Sequence, residues 1–166
     1  MSTDYSRPLR MAAQGSGLAE PGLRVRLEAV HLHLTAEPDV QGVTDALKIL
    51  IANLRRLPVH LDLAPHGLPS RLTEQCQALT RAIDPDRPLS LGPTAIYPVT
   101  DGSVHLGPHP PRGTAISAVP DGHGVRLRRP AVGYPTLAGT ASGLGSVMTA
   151  AMLTAECFKT IVAAWG

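Results

Sequence analysis

Four side chains stand out first for the chemistry their spacing allows. His31 and His33 are two apart in an alternating segment, so they share one face of a strand. His60 and Asp62 repeat the arrangement in the next alternating segment. If those strands are neighbours, three imidazoles and a carboxylate converge, a donor set suited to a divalent metal. The plainer alternative is a polar row on a half-buried sheet. A second candidate is Asp121-Gly122-His123-Gly124, where an imidazole sits two residues from a carboxylate. The same glycines serve a turn that needs positive φ, and the sequence links no Ser or Cys to this His, so a triad is not supported. Third comes Gly139-Thr140-Ala141-Ser142-Gly143-Leu144-Gly145-Ser146, leading into a helical pattern. Backbone N–H groups at Gly143, Gly145 and Ser146 would suit a phosphate or carboxylate at a helix N-terminus. No good strand precedes this loop and no P-loop lysine follows, so the nucleotide fingerprints are incomplete. Close backbone packing or a loop cap is the alternative. Arg126, Arg128 and Arg129 form a small basic edge beside Val125 and Leu127, of the kind that guards a strand against aggregation.

The elements that must position these groups follow from periodicity. Residues 23–35 alternate and read as a strand, although the apolar parity changes between Leu27 and Val30. Its second half is the better core strand, with His31 and His33 pointing away from Val30, Leu32 and Leu34. Asp39 reads as a cap for an amphipathic helix over 40–56, with Arg55 and Arg56 in its last turn and Pro58 stopping it. A strand over 59–64, a helix over 70–83 capped by Ser70, and a strand over 89–91 complete a strand–helix–strand–helix–strand order, the signature of parallel pairing. Residues 94–129 hold no helical stripe. They offer short strands at 95–99, 104–106, 114–119 and 125–129 with Asp-Gly turn signals, so antiparallel hairpins are expected. The final helix, about 146–164, is apolar nearly all round and needs cover on more than one side.

The fold class is therefore α/β: a mixed sheet, parallel in the first half and antiparallel in the second, with about three main helices. A chain of 166 residues, 43% hydrophobic and 17% charged, fits one folded domain over 23–166 after a flexible lead over 1–22. Scarce aromatics, at 3%, and a net charge of +2 argue against a nucleic-acid partner. The glycines and Pro135 between 130 and 145 exclude a membrane helix there. Cys76 and Cys157 have no second thiol nearby, so both read as buried free thiols rather than a zinc or redox motif. No signal peptide is evident at the N-terminus and the expected compartment is cytoplasmic.

The stretch Gly143–Lys159 resembles a small-residue helix of ThiF-type adenylyltransferases, the bacterial relatives of ubiquitin-activating enzymes. Ala150-Ala151, Ala155-Glu156 and Phe158-Lys159 carry the likeness, and the hairpin over 119–127 resembles the strand–turn–strand that comes before that helix. The family's catalytic core has a GxGxxG loop, an acidic residue for the ribose, and Arg and Lys for ATP phosphates. The present chain reaches Gly166 where that core would begin. The resemblance thus implies the non-adenylating module upstream of the core, with no catalytic residue carried over and no cofactor expected. Together these features lead to an expected non-catalytic α/β association domain, acting with itself as a homo-oligomer or with a separate enzyme subunit, without nucleic acid or membrane. The alternative is a small enzyme or a small-molecule or metal-binding protein, using either the His31/His33/His60 row or the glycine-rich loop over 139–146.

Overall fold

The structure, a computed structural model, describes residues 5, 6, 9, 10, 13, 14, 19–92, 102–131, 133, 134 and 139–163. The first described helix, α1, is Glu20–Glu28. It overturns the strand expected from residue 23. Leu23 and Leu27 are one helical turn apart and fully buried, while Val25 between them is 68% exposed. Their apparent alternation with Val25 is the accident of two helical positions flanking an exposed one. Pro21 in the first turn and Glu20 beside it are the helix-start signal that the alternation hid. The parity change after Leu27 marks the junction of α1 with β1, His31–Ala36.

From β1 the chain follows the expected alternation: α2, Val43–Leu54; β2, His60–Leu63; α3, Ser70–Ile83; and β3, Ser90–Leu91. Pro69 rather than Ser70 occupies the N-cap of α3, and no side chain caps it. The chain returns to β4, Ser103–Leu106, then β5, Ile116–Asp121, β6, Gly124–Arg128, and α4, Gly143–Ala163. The strand expected at 95–99 lies outside the described residues.

The six strands form one mixed sheet in the order β3-β2-β1-β4-β5-β6. Every pair is parallel except β5–β6. The antiparallel part is thus one hairpin, closed by the two-residue turn Gly122-His123 with Gly122 at φ 60°. β4, which the turn signals grouped with the hairpins, joins both neighbours in parallel. The proline-rich segment after it carries the chain back to the other end of the sheet instead of reversing it.

The register gives the sheet two unlike faces. Leu61 and Leu63, Leu32 and Leu34, Val104 and Leu106, Ile116 and Ala118, and Val125 and Leu127 line one face. Leu47, Leu50, Ile51 and Leu54 of α2 join the same core, and α3 and α4 flank α2 in that helix layer. Histidines, Asp62, Thr35, Ser103, Ser117, Arg126 and Arg128 take the other face, as period-two alternation requires. Tyr5 and Leu9, within the lead expected to be flexible, are each only 5% exposed and belong to the core.

Arg55 is the C-cap of α2 and is fully buried, rather than an exposed partner of the helix dipole. Its guanidinium donates to the carbonyls of Arg87, Leu57 and Val59 and faces Asp84 at 3.8 Å. The Tyr5 hydroxyl donates to the same Asp84 carboxylate. One buried cation therefore ties together the end of α2, the entry to β2 and the turn after α3.

Among the described residues, α4 is covered on one side only. Ala150, Leu153, Cys157 and Ile161 are buried in the core, next to α2, β5 and β6. Leu144, Val147, Met148 and Met152 are 57%, 47%, 41% and 40% exposed. With exposed Ala151 and Ala155 they make an uncharged stripe along the helix. Among the described residues no helix is long and apolar enough to cross a membrane.

Candidate functional site

The strand order places a topological switch between β1 and β4. From β1 the chain builds outward through β2 to β3, then returns to the far side of β1. Loops leaving the carboxyl ends of β1 and β4 therefore diverge, and a crevice opens between them, the position where open α/β sheets bind ligands. Here it holds a cavity of about 350 Å³, lined by residues 35–40 at and after the end of β1, by Ala64, His66 and Gly67 after β2, and by His105, His109 and Pro111 around the end of β4.

Glu37 is the hub of this crevice. It directly follows β1, and its backbone N–H donates to the carbonyl of Leu106 at 2.8 Å, extending the ladder by one bond. Its Oε1 lies 2.9 Å from His105 Nε2 and accepts the backbone N–H of His109 at 2.5 Å. Its Oε2 lies 2.8 Å from His109 Nδ1. Gly107 makes room for this side chain: a Cβ there would lie 2.5 Å from Glu37 Oε1, and its φ of 144° is unfavourable for other residues. Burial alone would raise the Glu37 pKa, but the bonds from His109 and His105 outweigh it and hold the carboxyl below its usual value.

His105 is 3% exposed. Burial pushes its pKa below the usual imidazole value, against the opposing pull of Glu37. A neutral imidazole beside an ionised carboxylate must present Nε2–H to Glu37. That leaves Nδ1 as acceptor for the Thr35 hydroxyl, 2.8 Å away. Hydroxyl, imidazole and carboxylate thus form one polarised chain from β1 through β4 to the crevice.

The residues singled out from sequence sit elsewhere. His31, His33, His60 and Asp62 do share a face, as the spacing predicts. The His31 and His60 rings stack at 4.5 Å, and His31 and His33 lie 6.3 Å apart. Asp62 Oδ2 is 3.1 Å from His33 Nδ1 and 3.6 Å from His31 Nδ1. Burial, then the neighbouring His31, lowers the pKa of His60. His31 and His60 begin their strands, so this row faces away from the carboxyl-end crevice. Among the described residues, no group of three or more His, Cys, Asp or Glu side chains is arranged to hold a metal ion.

Gly143, Gly145 and Ser146 form the first turn of α4, against the β5–β6 turn. A Cβ on Gly145 would lie 2.6 Å from the Gly122 carbonyl oxygen, so this glycine permits close backbone approach. The Gly145 N–H is taken by the Ser142 hydroxyl at 3.2 Å, and Ser146 is 1% exposed. His123 Nδ1 lies 2.9 Å from that same Ser142 hydroxyl. These contacts engage the loop's own hydroxyl and N–H groups in packing and capping. The basic edge is occupied too: Arg126 pairs with Asp121 at 2.5 Å, and Arg128 lies over the Tyr134 ring at 4.8 Å.

Sequence reasoning passed over Glu37, His66, His105 and His109, which are scattered over 73 positions of number but gathered by topology. The signal was the element order itself. Two outward crossovers followed by a return place the switch after the first strand, and Glu37 is the carboxylate that directly follows it.

No protein-family model matches the chain, and no curated protein matches it. Among solved structures, the crystal structure of E. coli MccB with succinimide is similar over 98% of this chain, with a TM-score of 0.63 at 13% identity. The chain spans 65% of the length of that protein chain. At this identity the likeness concerns the fold alone, and the fold is ThiF-like.

Proposed function

We propose that this chain is an association domain of ThiF-like fold, without adenylating chemistry of its own, that pairs with a second copy of itself through α4. The observation that carries the reading is the stripe of Leu144, Val147, Met148 and Met152, exposed on the side of α4 away from its own core. The stripe is uncharged, so two copies can face each other across a two-fold axis without like-charge repulsion. Ala151 and Ala155 lie within it and permit close approach. Full burial of a large apolar side chain contributes about 1.5–3 kcal/mol. Each of the four is already about half covered, so roughly 1 kcal/mol remains for each, doubled by symmetry to about 8 kcal/mol. That is of the order needed to offset the loss of free motion on association.

Two further features support the absence of adenylating chemistry. The turn after β1 reads Glu37-Pro38-Asp39-Val40-Gln41-Gly42, not GxGxxG. The glycine-rich loop that does precede a helix is packed onto the β5–β6 turn. Sedimentation equilibrium at micromolar concentration tests the reading. A concentration-dependent dimer is expected, and Met148→Glu should make it monomeric while keeping its native far-UV circular dichroism, with a melting temperature that no longer depends on concentration. A clean monomer for the unmodified chain across the range overturns self-association.

A further inference from the structure

The crevice between β1 and β4 has no part in association through α4, yet it holds a cavity at the position where this topology takes ligands. We propose that it binds a small organic cation, a primary ammonium carried on a compact apolar body, with Glu37 as its charge partner and Asp39 at its rim.

The charge of the walls decides the class. Two carboxylates, Glu37 and Asp39, line the cavity, and among the described residues no Arg or Lys does. A phosphate-bearing ligand would need backbone N–H groups offered by a glycine-rich turn. The turn here supplies Pro38, which has no N–H, between two acids. The two carboxylates disfavour an anion here, and the turn lacks the glycine-rich cradle that such an anion uses.

Glu37 retains capacity for a cation. A carboxylate offers about four acceptor positions. His105 Nε2 and the His109 N–H occupy Oε1, and His109 Nδ1 occupies one position on Oε2. One position on Oε2 remains, and the side chain is 27% exposed, so a ligand can reach it. His105 and His109 fix the carboxylate from two sides, which removes the ordering cost of aiming it. Ala36, Pro38, Val40, Ala64 and Pro111 supply apolar walls for the body of the ligand. The cavity, about 350 Å³, is at the small end of the range for small-molecule sites and suits a single-ring amine.

The test is a matched set of probes followed by amide chemical shifts: benzylamine, benzyl alcohol, benzoate and ATP, at one ionic strength and neutral pH. Benzylamine should shift amides in 35–40, 64–67 and 105–111, and benzoate and ATP should not. Glu37→Gln should weaken benzylamine about tenfold, the loss expected for a hydrogen bond to a charged group. Asp39→Asn, on an exposed rim, should keep the fold and weaken it about twofold to threefold. Binding of benzoate or ATP as tight as benzylamine overturns the proposal. So does the absence of shifts localised to the crevice, or an unchanged affinity in both variants. Monomeric Met148→Glu should bind benzylamine as well as the unmodified chain, which separates this outcome from the fate of the association reading.

Discussion

Replacing Arg55 by Met should cost about 3–5 kcal/mol of unfolding free energy, the loss typical when one partner of a buried charge pair is removed. The methionine fills much of the volume but carries no donor. The carbonyls of Arg87, Leu57 and Val59 lose partners at 3.0, 3.0 and 2.5 Å. Asp84, 1% exposed, loses the guanidinium whose Nε stands 3.8 Å away. Each buried acceptor left unmatched costs about 1–3 kcal/mol, partly recovered by relaxation or water. The whole domain has only about 5–15 kcal/mol to lose. Equilibrium urea unfolding measures the change, with an unchanged slope showing that the folded state keeps its compactness. The double variant Arg55→Met with Asp84→Leu should lose less than the sum of the two single losses, because the two side chains share one buried ion pair. A loss under about 1 kcal/mol for Arg55→Met would refute the reasoning.

His105 and Glu37 predict an acid-side loss of stability. Burial lowers the folded pKa of His105 below its usual 6.5, so its contribution is complete above pH 6.5 and lost as pH falls through the folded value. The folded Glu37 pKa is also depressed below 4.5, so a second loss follows below that pH. A ring-proton NMR titration of His105 with its midpoint at or above 6.5 contradicts the assignment. Gly107→Ala should lower the melting temperature, because a Cβ meets Glu37 Oε1 at 2.5 Å and φ is 144°. The expected cost is about 1–3 kcal/mol, and a variant as stable as its parent would show that Glu37 is not fixed in that place.

Much of the fold was legible because burial enforces periodicity. α2 and α3 each place one face in the core, and their apolar spacing marks them without ambiguity. His31, His33, His60 and Asp62 share a face because strand side chains alternate strictly. Where the reading failed, two patterns competed. Leu23, Val25 and Leu27 satisfy alternation, but Leu23 and Leu27 alone satisfy a helical turn, and burial chose the helix. Tyr5 and Leu9 are too isolated in a polar segment to carry any period, yet both reach the core. Arg55 is invisible to periodicity because its burial depends on carbonyls brought by Leu57, Val59 and Arg87. The crevice escaped for a similar reason. Glu37, His105 and His109 acquire meaning only when the order of strands is known, and the long parallel return to β4 carries no local signature.

The two thiols give the molecule built-in clocks. Cys76 lies on the buried side of α3 and Cys157 on the buried side of α4, and burial raises their pKa to about 11 and about 12. Neither presents a thiolate at neutral pH, and neither is bonded to the other. A thiol reagent reaches them only when the helix that carries them detaches, so the two labelling rates count separate openings of the layer. Because Cys157 occupies the side of α4 opposite the exposed stripe, anything that grips the stripe slows its labelling without touching the sulfur, while Cys76 keeps its own time.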